Sequence, residues 1–407
     1  MTGHVICFTE QHRFTEQHRL TEQHRLMRSP STSRVEVPFS ARFHFADSGR
    51  NPDGTPVEGL RMVREQRSTS DRADPGSAVV TGPGVTESPA FEHRPVMLEE
   101  VVELLATTPP GVYLDATLGG AGHAVAVLDA APQLSLVGLD QDPVAEAAAR
   151  SALAPHGARV TVVRARFDRV GRVLDGLGVG AISAALFDLG VSSPQLDRPE
   201  RGFTYRSEGP LDMRMDPTGP LTAADVVNGW SEQELIRLFR EHGESRFAAR
   251  IARALIASRP LSTTAQLAEV VRSAIPAAAR RTGGHPARRV FQAVRVAVND
   301  ELAILPGALD EVIGRLVPGG RLAVLAYHSG EDRIVKDRFR HAATGGCVCP
   351  PLLPCVCGAR PSVRLLTRGA RRPTAAEIER NHRAESARLR AVEALQDGGD
   401  QTPRNGQ

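Results

Sequence analysis

Lysine is almost absent from this 407-residue chain: Lys336 is the only one, so nearly all of its 50 basic side chains are arginines. Set against 47 acidic residues, the total is close to neutral and excludes no class of partner. Aromatic residues make up only 4 %, so a site that must stack a nucleobase has few side chains to draw on. No apolar run is long enough to span a bilayer, and the N-terminus lacks the basic-then-apolar pattern of a secretion signal. Four of the five cysteines lie within residues 347–357, unlike the spread of a secreted disulfide framework. The expectation from these absences is a soluble, cytoplasmic protein, either monomer or homodimer.

What is present is unevenly placed. Residues 237–295 carry twelve arginines against Glu241, Glu244 and Glu269, a local excess of nine positive charges. Guanidinium forks suit phosphate, so the stretch is a candidate nucleic-acid footprint, although an arginine-biased composition would also give a merely solvated basic surface. Arg246, Arg250 and Arg253 fall at helical spacing opposite Phe247, Ile251 and Leu255, a basic stripe backed by an apolar face.

Residues 1–92 are expected to form a disordered extension. TEQHR occurs three times at a period of six, which matches neither a heptad nor a solenoid unit, and Ser, Pro, Gly, Arg and Asp dominate the chain from there to Ala90. His12, His18 and His24 could bind metal, but repeat expansion accounts for them as well. Order begins near "EHRPVMLEEVVELLATTP", where Val96, Leu98, Val101, Val102 and Leu105 share one helical face and Pro109-Pro110 end it. Strands are predicted at 112–117, 134–140, 160–167 and 182–189, with helical patterns such as "DPVAEAAARSAL" between them. That alternation specifies an α/β fold with a parallel sheet covered on both faces. From about 220 to 300 the pattern is helical, and a strand resumes at 321–329. The expected divisions are 93–197 for the first part of the core, 198–300 for a mainly helical insertion that recognises the target, 301–392 for the second part of the core and 393–407 for a loose tail.

The stretch "GVYLDATLGGAGHAVAVLDAA" (111–131) passes from a strand through glycines into a helix, which puts free amides and a positive helix end at the sheet edge. A triphosphate site would need Lys and then Ser or Thr after the last glycine, where His123-Ala124 stand instead. A dinucleotide site would need GxGxxG, which fails at Val125 counting from Gly120 and at Ala121 counting from Gly119. S-adenosylmethionine, which carries no phosphate, is the remaining candidate. Asp140 at the end of the second strand could accept from ribose hydroxyls, as it could for NAD. Asp115 would suit a cationic ligand or cap the loop, and Phe167 could pack on adenine or belong to the core.

The fourth strand runs into "FDLGVSSPQLD", an acid at a buried strand's carboxyl end followed by a tight turn. Together with "HRPVML", "DATLGGAGH", "LDQDP", "RGFTYRSEGPLDMRMDP", "HPARRVFQAVRVAVNDEL", "PGGRLAVLAYHSGEDRIVK" and "NHRAESARLRA", this segment resembles the bacterial ribosomal small subunit methyltransferase H (MraW) family, in order, over about residues 93–391. The resemblance implies a class I, Rossmann-like methyltransferase sheet with an inserted helical domain. It also implies methyl transfer from S-adenosylmethionine to N4 of a cytidine in the 16S rRNA decoding centre of the small ribosomal subunit. Position by position it places cofactor contacts at Ala121, Gly122, His123, Asp140, Phe167, Asp188 and Gln195; Gln195 comes from the resemblance alone.

The N4 lone pair is delocalised into the pyrimidine ring, so the chemistry calls for an acceptor on the exocyclic amine. The expected catalytic groups are Asp188 and the 190–194 turn with Ser192 and Ser193. "SSPQ" is similar to the Ser-Pro-Pro-aromatic turn of DNA amino-methyltransferases, but Gln195 replaces the second proline and no aromatic follows. Phe203, Tyr205, Phe291 and Tyr327 are then the candidates to hold a splayed-out cytosine, each equally readable as core. Asp212, Arg214 and Asp216 would either shape the target pocket or pair among themselves. His328 is expected to serve structure or the cofactor side ahead of catalysis, and Gly330 stands where the family commonly has Leu. Cys347, Cys349, Cys355 and Cys357 could form a tetrathiolate zinc knuckle or stay reduced thiols, and no metal is assigned to catalysis. Two alternatives stay open: DNA cytosine-N4 methylation, and a non-catalytic ribosome-assembly or nucleic-acid-binding factor.

Overall fold

Strand β4 (Ile182–Asp188) shows how the sequence builds the core: six of its residues are buried, and Asp188 is half-exposed at the carboxyl end. A strand apolar on both faces must be covered on both, and its side chains part by alternation. Ala184 and Leu186 join one apolar cluster with Val101, Leu105, Val127 and Leu128. Ala185 and Phe187 join another with Leu174, Leu309, Val312 and Phe339. The computed structural model describes residues 95–280, 285–350 and 356–396, so the expected 1–92 extension and the tail beyond 396 lie outside the described residues.

Around β4 stand β1 (Gly111–Asp115), β2 (Leu134–Asp140), β3 (Val160–Arg164), β5 (Leu316–Ala326), β6 (Val363–Leu365) and β7 (Arg388–Ala394), in the order β3-β2-β1-β4-β5-β7-β6. The first five are parallel, whereas β7 pairs antiparallel with both β5 and β6. The strands read from the sequence are parallel as expected, and β7 with β6 adds an antiparallel edge to a sheet of the Rossmann-like class. β7 is hidden in the sequence because its arginines at 388 and 390 break an apolar run; both pair with Asp332, which brings them against the sheet. β3 also ends at Arg164, earlier than the predicted 167, and Phe167 opens a single 3-10 turn instead. Strand order reverses between β1 and β4, and the crevice at such a reversal is where open α/β sheets bind ligands.

Helices α1 (Leu98–Leu105), α2 (Gly122–Ala130) and α3 (Pro143–Leu153) supply residues to one face, and α4 (Val170–Gly176) to the other. Between β4 and β5 the chain forms α5 (Ser193–Asp197), α6 (Ala223–Gly229), α7 (Glu232–Glu241), α8 (Ala248–Ala257), α9 (Thr264–Ala274), α10 (Ala277–Arg280) and α11 (Arg288–Asn299), followed by α12 (Glu301–Arg315). The inserted helices have their own apolar cluster around Val226, Phe239, Ile251, Leu255, Leu267 and Phe291. Their starts are written in the sequence as capping boxes, Thr222 with Asp225, Ser231 with Glu234 and Thr263 with Gln266. The chain turns between α7 and α8 at Gly243 (φ +88°) and between α11 and α12 at Asp300 (φ +56°). After β5, α13 (Ser329–Thr344) packs on the sheet through Val335 and Phe339, and α14 (Ala375–Arg380) precedes β7. Among the described residues no helix is long and apolar enough to cross a membrane.

Candidate active site

Three neighbouring strands, β2, β1 and β4, each end in an aspartate: Asp140, Asp115 and Asp188. Their carboxylates line the switch point, and each is tied differently. Asp140 Oδ2 accepts from Gly119 N at 2.8 Å and Oδ1 from Asp142 N at 2.8 Å, so it holds the glycine loop against the second strand. Asp115 is buried, accepting from Tyr113 Oη (3.1 Å) and Thr117 N (3.2 Å). Burial pushes both carboxyl groups up to about 6; the His123 ring opposes the shift at Asp115, and backbone N–H groups oppose it at Asp140.

The glycine loop can bend this tightly because β2 makes room for it. A Cβ on Gly138 would come within 2.6 Å of Leu118 Cδ2, so a larger residue there would push the Leu118 side chain from its place over the strand. Gly119 and Ala121 then take positive φ values of 52° and 65°, and α2 opens at Gly122. At Gly120 an added Cβ would meet nothing within 4 Å, so this side of the loop faces open space.

His123, in the first turn of α2, is 6 % exposed. Its Nε2 lies 2.9 Å from the Val96 carbonyl, which can only accept, so Nε2 carries a hydrogen. Nδ1 faces Asp188 Oδ2 at 3.6 Å. The other oxygen of Asp188 accepts from Tyr327 Oη at 2.7 Å, and its backbone N–H donates to Thr117 Oγ1 at 2.6 Å. Asp188 is therefore held from β1, α2 and the end of β5 together. Gly190 follows at φ +107°, where a Cβ would touch the Tyr327 ring at 3.4 Å. Ser192 is the N-cap of α5, and its N–H donates to Gln195 Oε1 at 3.0 Å. The Ser193 side chain lies outside the described residues.

Gln195 is buried, and its amide donates to Asp142 Oδ2 at 3.0 Å. Asp142 is a hub that the sequence does not announce, since Asp before Pro143 reads simply as a helix N-cap. It does cap α3, accepting from Val144 N at 3.0 Å, and it also pairs with Arg201 at 2.8 Å. Arg201 in turn donates to the carbonyls of Arg214 and Met215 (2.9 and 3.1 Å). The 209–217 loop is thus tied to Asp142, just past the end of β2, through Arg201. Of its acids and base, Asp212 and Arg214 pair bidentately (2.9 and 2.7 Å), while Asp216 caps its own turn through Thr218.

The other candidate side chains divide by location. Phe203 is buried in the insertion's core, with the Arg201 guanidinium 5.7 Å above its ring. Tyr205 stacks on His285 at 4.4 Å and meets Phe291 edge-on at 5.6 Å. Phe167 packs edge-on against Phe187 at 5.7 Å. Of the four aromatic candidates for the cytosine, Tyr327 touches Asp188. His328 caps α13: its Nδ1 accepts from Gly330 N and Glu331 N, which leaves the ring hydrogen on Nε2, 2.9 Å from Glu331 Oε1. Arg250 and Arg253 are exposed on α8, whereas Arg246 lies before that helix and covers the Phe247 ring at 4.9 Å. Cys347, Cys349 and Cys357 come together at a loop tip, and Cys355 lies outside the described residues.

With this geometry in place, comparison with known proteins is specific. The model of the MraW methylase family matches residues 90–395. A ribosomal RNA small subunit methyltransferase H of Symbiobacterium thermophilum is 53 % identical over 314 residues, covering 76 % of this chain and 98 % of that protein. A protein of the same name from Thermobifida fusca is 53 % identical over 325 residues, covering 78 % and 98 %. One from Mycobacterium sp. (strain KMS) is 52 % identical over 345 residues, covering 83 % and 91 %.

Proposed function

The chain belongs to the MraW methylase family, and on that premise we propose that it uses S-adenosylmethionine to methylate N4 of a cytidine in the decoding centre of 16S rRNA. The observation that carries this reading is the row of three strand-end carboxylates beside an open glycine loop. Clustered carboxylates repel a pyrophosphate and favour hydroxyls and positive charge. Asp140, already oriented by two backbone N–H groups, has lone pairs left for ribose hydroxyls. Asp115 and Asp188 put negative charge where a sulfonium and an amino group would lie. The residues fit the cofactor, with Ala121, Gly122, His123, Asp140, Phe167, Asp188 and Gln195 as its contacts.

When bound, S-adenosylmethionine supplies a methyl group already activated on sulfur. The protein's work is to present N4 in line with that carbon and to raise its electron density; positioning alone can supply several kcal/mol. Asp188 accepts a hydrogen bond from the exocyclic amine, which returns density to nitrogen, and then takes its proton. Tyr327 fixes the carboxylate by donating to Oδ1, which leaves Oδ2 turned toward His123 Nδ1. The proton lost from N4 passes to Oδ2, with the His123 ring 3.6 Å away. The Gly190–Ser192 backbone and the Ser193 turn set the amine's approach, and Gln195, locked to Asp142, closes the cofactor side. Exposed arginines on α7 and α8, among them Arg237, Arg240, Arg250 and Arg253, track RNA phosphates.

Mass mapping of 16S rRNA nucleosides tests the reading, using cells that lack the protein and the same cells after add-back. The methylated cytidine should vanish and return with the intact chain, and it should stay absent with Asp188→Ala, which still binds RNA. An unchanged nucleoside map would refute the assignment, and full activity of the variant would remove Asp188 from the mechanism.

A further inference from the structure

We propose that Cys347, Cys349 and Cys357 form a structural zinc site that closes the loop between α13 and β6. Their sulfur atoms all lie within 4.8 Å of one another, and Cys347 and Cys357 are 3.6 Å apart. A tetrahedral zinc with bonds of about 2.3 Å separates its sulfur ligands by about 3.8 Å, whereas a disulfide requires about 2.05 Å. The observed spacing is that of thiolates sharing one soft ion, and the three sulfurs make one face of its tetrahedron.

The loop around them supports the same conclusion. Gly345 and Gly346 leave α13 at φ 61° and 72°, and a Cβ on Gly345 would overlap the Arg360 backbone. Ser362 N donates to Ala342 O at 3.0 Å, so the two ends of the loop are pinched together. At the tip the usual distribution of side chains is reversed. Val348 and Val356 are 87 % and 90 % exposed, while the neighbouring cysteines converge. Among the described residues of the loop, the two valines turn outward instead of packing, and a metal cross-link would fix the shape that apolar contacts there do not. Binding displaces the thiol protons to solvent as three zinc–sulfur bonds form. The site lies outside the methyl-transfer machinery, so the ion acts on stability alone.

The test uses the full chain, purified under reducing conditions without chelator. Elemental analysis should find one zinc per chain, and zinc-edge X-ray absorption should show sulfur neighbours at about 2.3 Å. Cobalt exchanged into the site should give the charge-transfer and ligand-field bands of tetrahedral thiolate coordination. Cys347→Ser, Cys349→Ser and Cys357→Ser should each lose the metal while keeping far-ultraviolet circular dichroism and calorimetric binding of S-adenosylhomocysteine, which shows the core folded. A chain that holds no zinc even after incubation with zinc chloride would overturn the proposal. So would single variants that retain it in full, or a Cys347–Cys357 disulfide in the freshly purified protein.

Discussion

Replacing Asp142 by alanine isolates the contact that joins the end of β2 to the insertion. The side chain is 2 % exposed and accepts three bonds, from Val144 N, Gln195 Nε2 and Arg201 Nη1. Its loss removes the N-cap of α3, worth about 1 kcal/mol. It also leaves the Arg201 guanidinium, itself only 14 % exposed, without its counter-charge. Breaking a buried pair from one side costs about 3–5 kcal/mol. Arg201 keeps two carbonyl acceptors through Nη2, which places the expected total near the lower end, about 3–4 kcal/mol. For a domain of this size that lowers Tm by roughly 6–12 °C. Scanning calorimetry measures it, and Arg201→Met added to Asp142→Ala should recover about half the loss by removing the orphaned charge. S-adenosylhomocysteine should bind more weakly to the single variant, since Gln195 loses its anchor. A Tm within about 2 °C of the parent, or a double variant no more stable than the single one, would refute the orphaned-charge reasoning.

Three further outcomes are expected. Asp115 has its carboxyl raised from 3.8 to about 6 in the folded state, so the unfolded chain gives up this proton first and stability falls as pH rises across that window. Asp115→Asn keeps the acceptor for Thr117 N and should melt above the parent at neutral pH, with the gap closing below about pH 4, and should transfer methyl poorly; a gap that does not change with pH would count against the burial argument. Tyr327→Phe keeps the ring beside Gly190 but loses the 2.7 Å bond to Asp188. It should lower kcat about 10-fold with KM for the cofactor little changed in steady-state assays, and an unchanged kcat would remove Tyr327 from positioning Asp188. Arg250→Ala with Arg253→Ala should flatten the dependence of log K on log salt for a 16S rRNA fragment by about 1–2, read by filter binding; an unchanged slope would leave α8 as ordinary solvated surface.

The readable part of the fold is the part governed by local pattern. Apolar runs mark the central strands, with β2 matched residue for residue. β7 escapes because Arg388 and Arg390 read as solvated in the sequence and are paired in the structure, through Asp332, 56 and 58 residues away. Phe167 shows the same limit on a smaller scale. Its apolar character extends the predicted strand, but the ladder with β2 ends at the bond from Ala165 N to the Asp140 carbonyl, and Phe167 opens a 3-10 turn and packs on Phe187 instead.

At the site, the acids at strand ends are legible because period and position alone identify them. Their partners are not, because those lie on other elements. From Asp142 the polar contacts run through Arg201 to the Met215 carbonyl, from Met215 N to Asn299, and from Asn299 Nδ2 to the Arg295 carbonyl. Arg295 pairs with Glu301 and lies 3.9 Å from Glu331, whose carboxylate accepts from Tyr327 N; the Tyr327 hydroxyl then reaches Asp188. The chain of contacts leaves the end of β2, passes through the insertion and returns at the end of β4. Buried polar links of this kind tolerate few alternative arrangements, because each unmade bond costs a desolvated group. An apolar face can slide by a fraction of a side chain at little cost, but these contacts cannot. The insertion is therefore registered against the sheet edge by hydrogen-bond geometry. That is what a methyl transfer requires when the target base is held by one element and the reactive carbon by another.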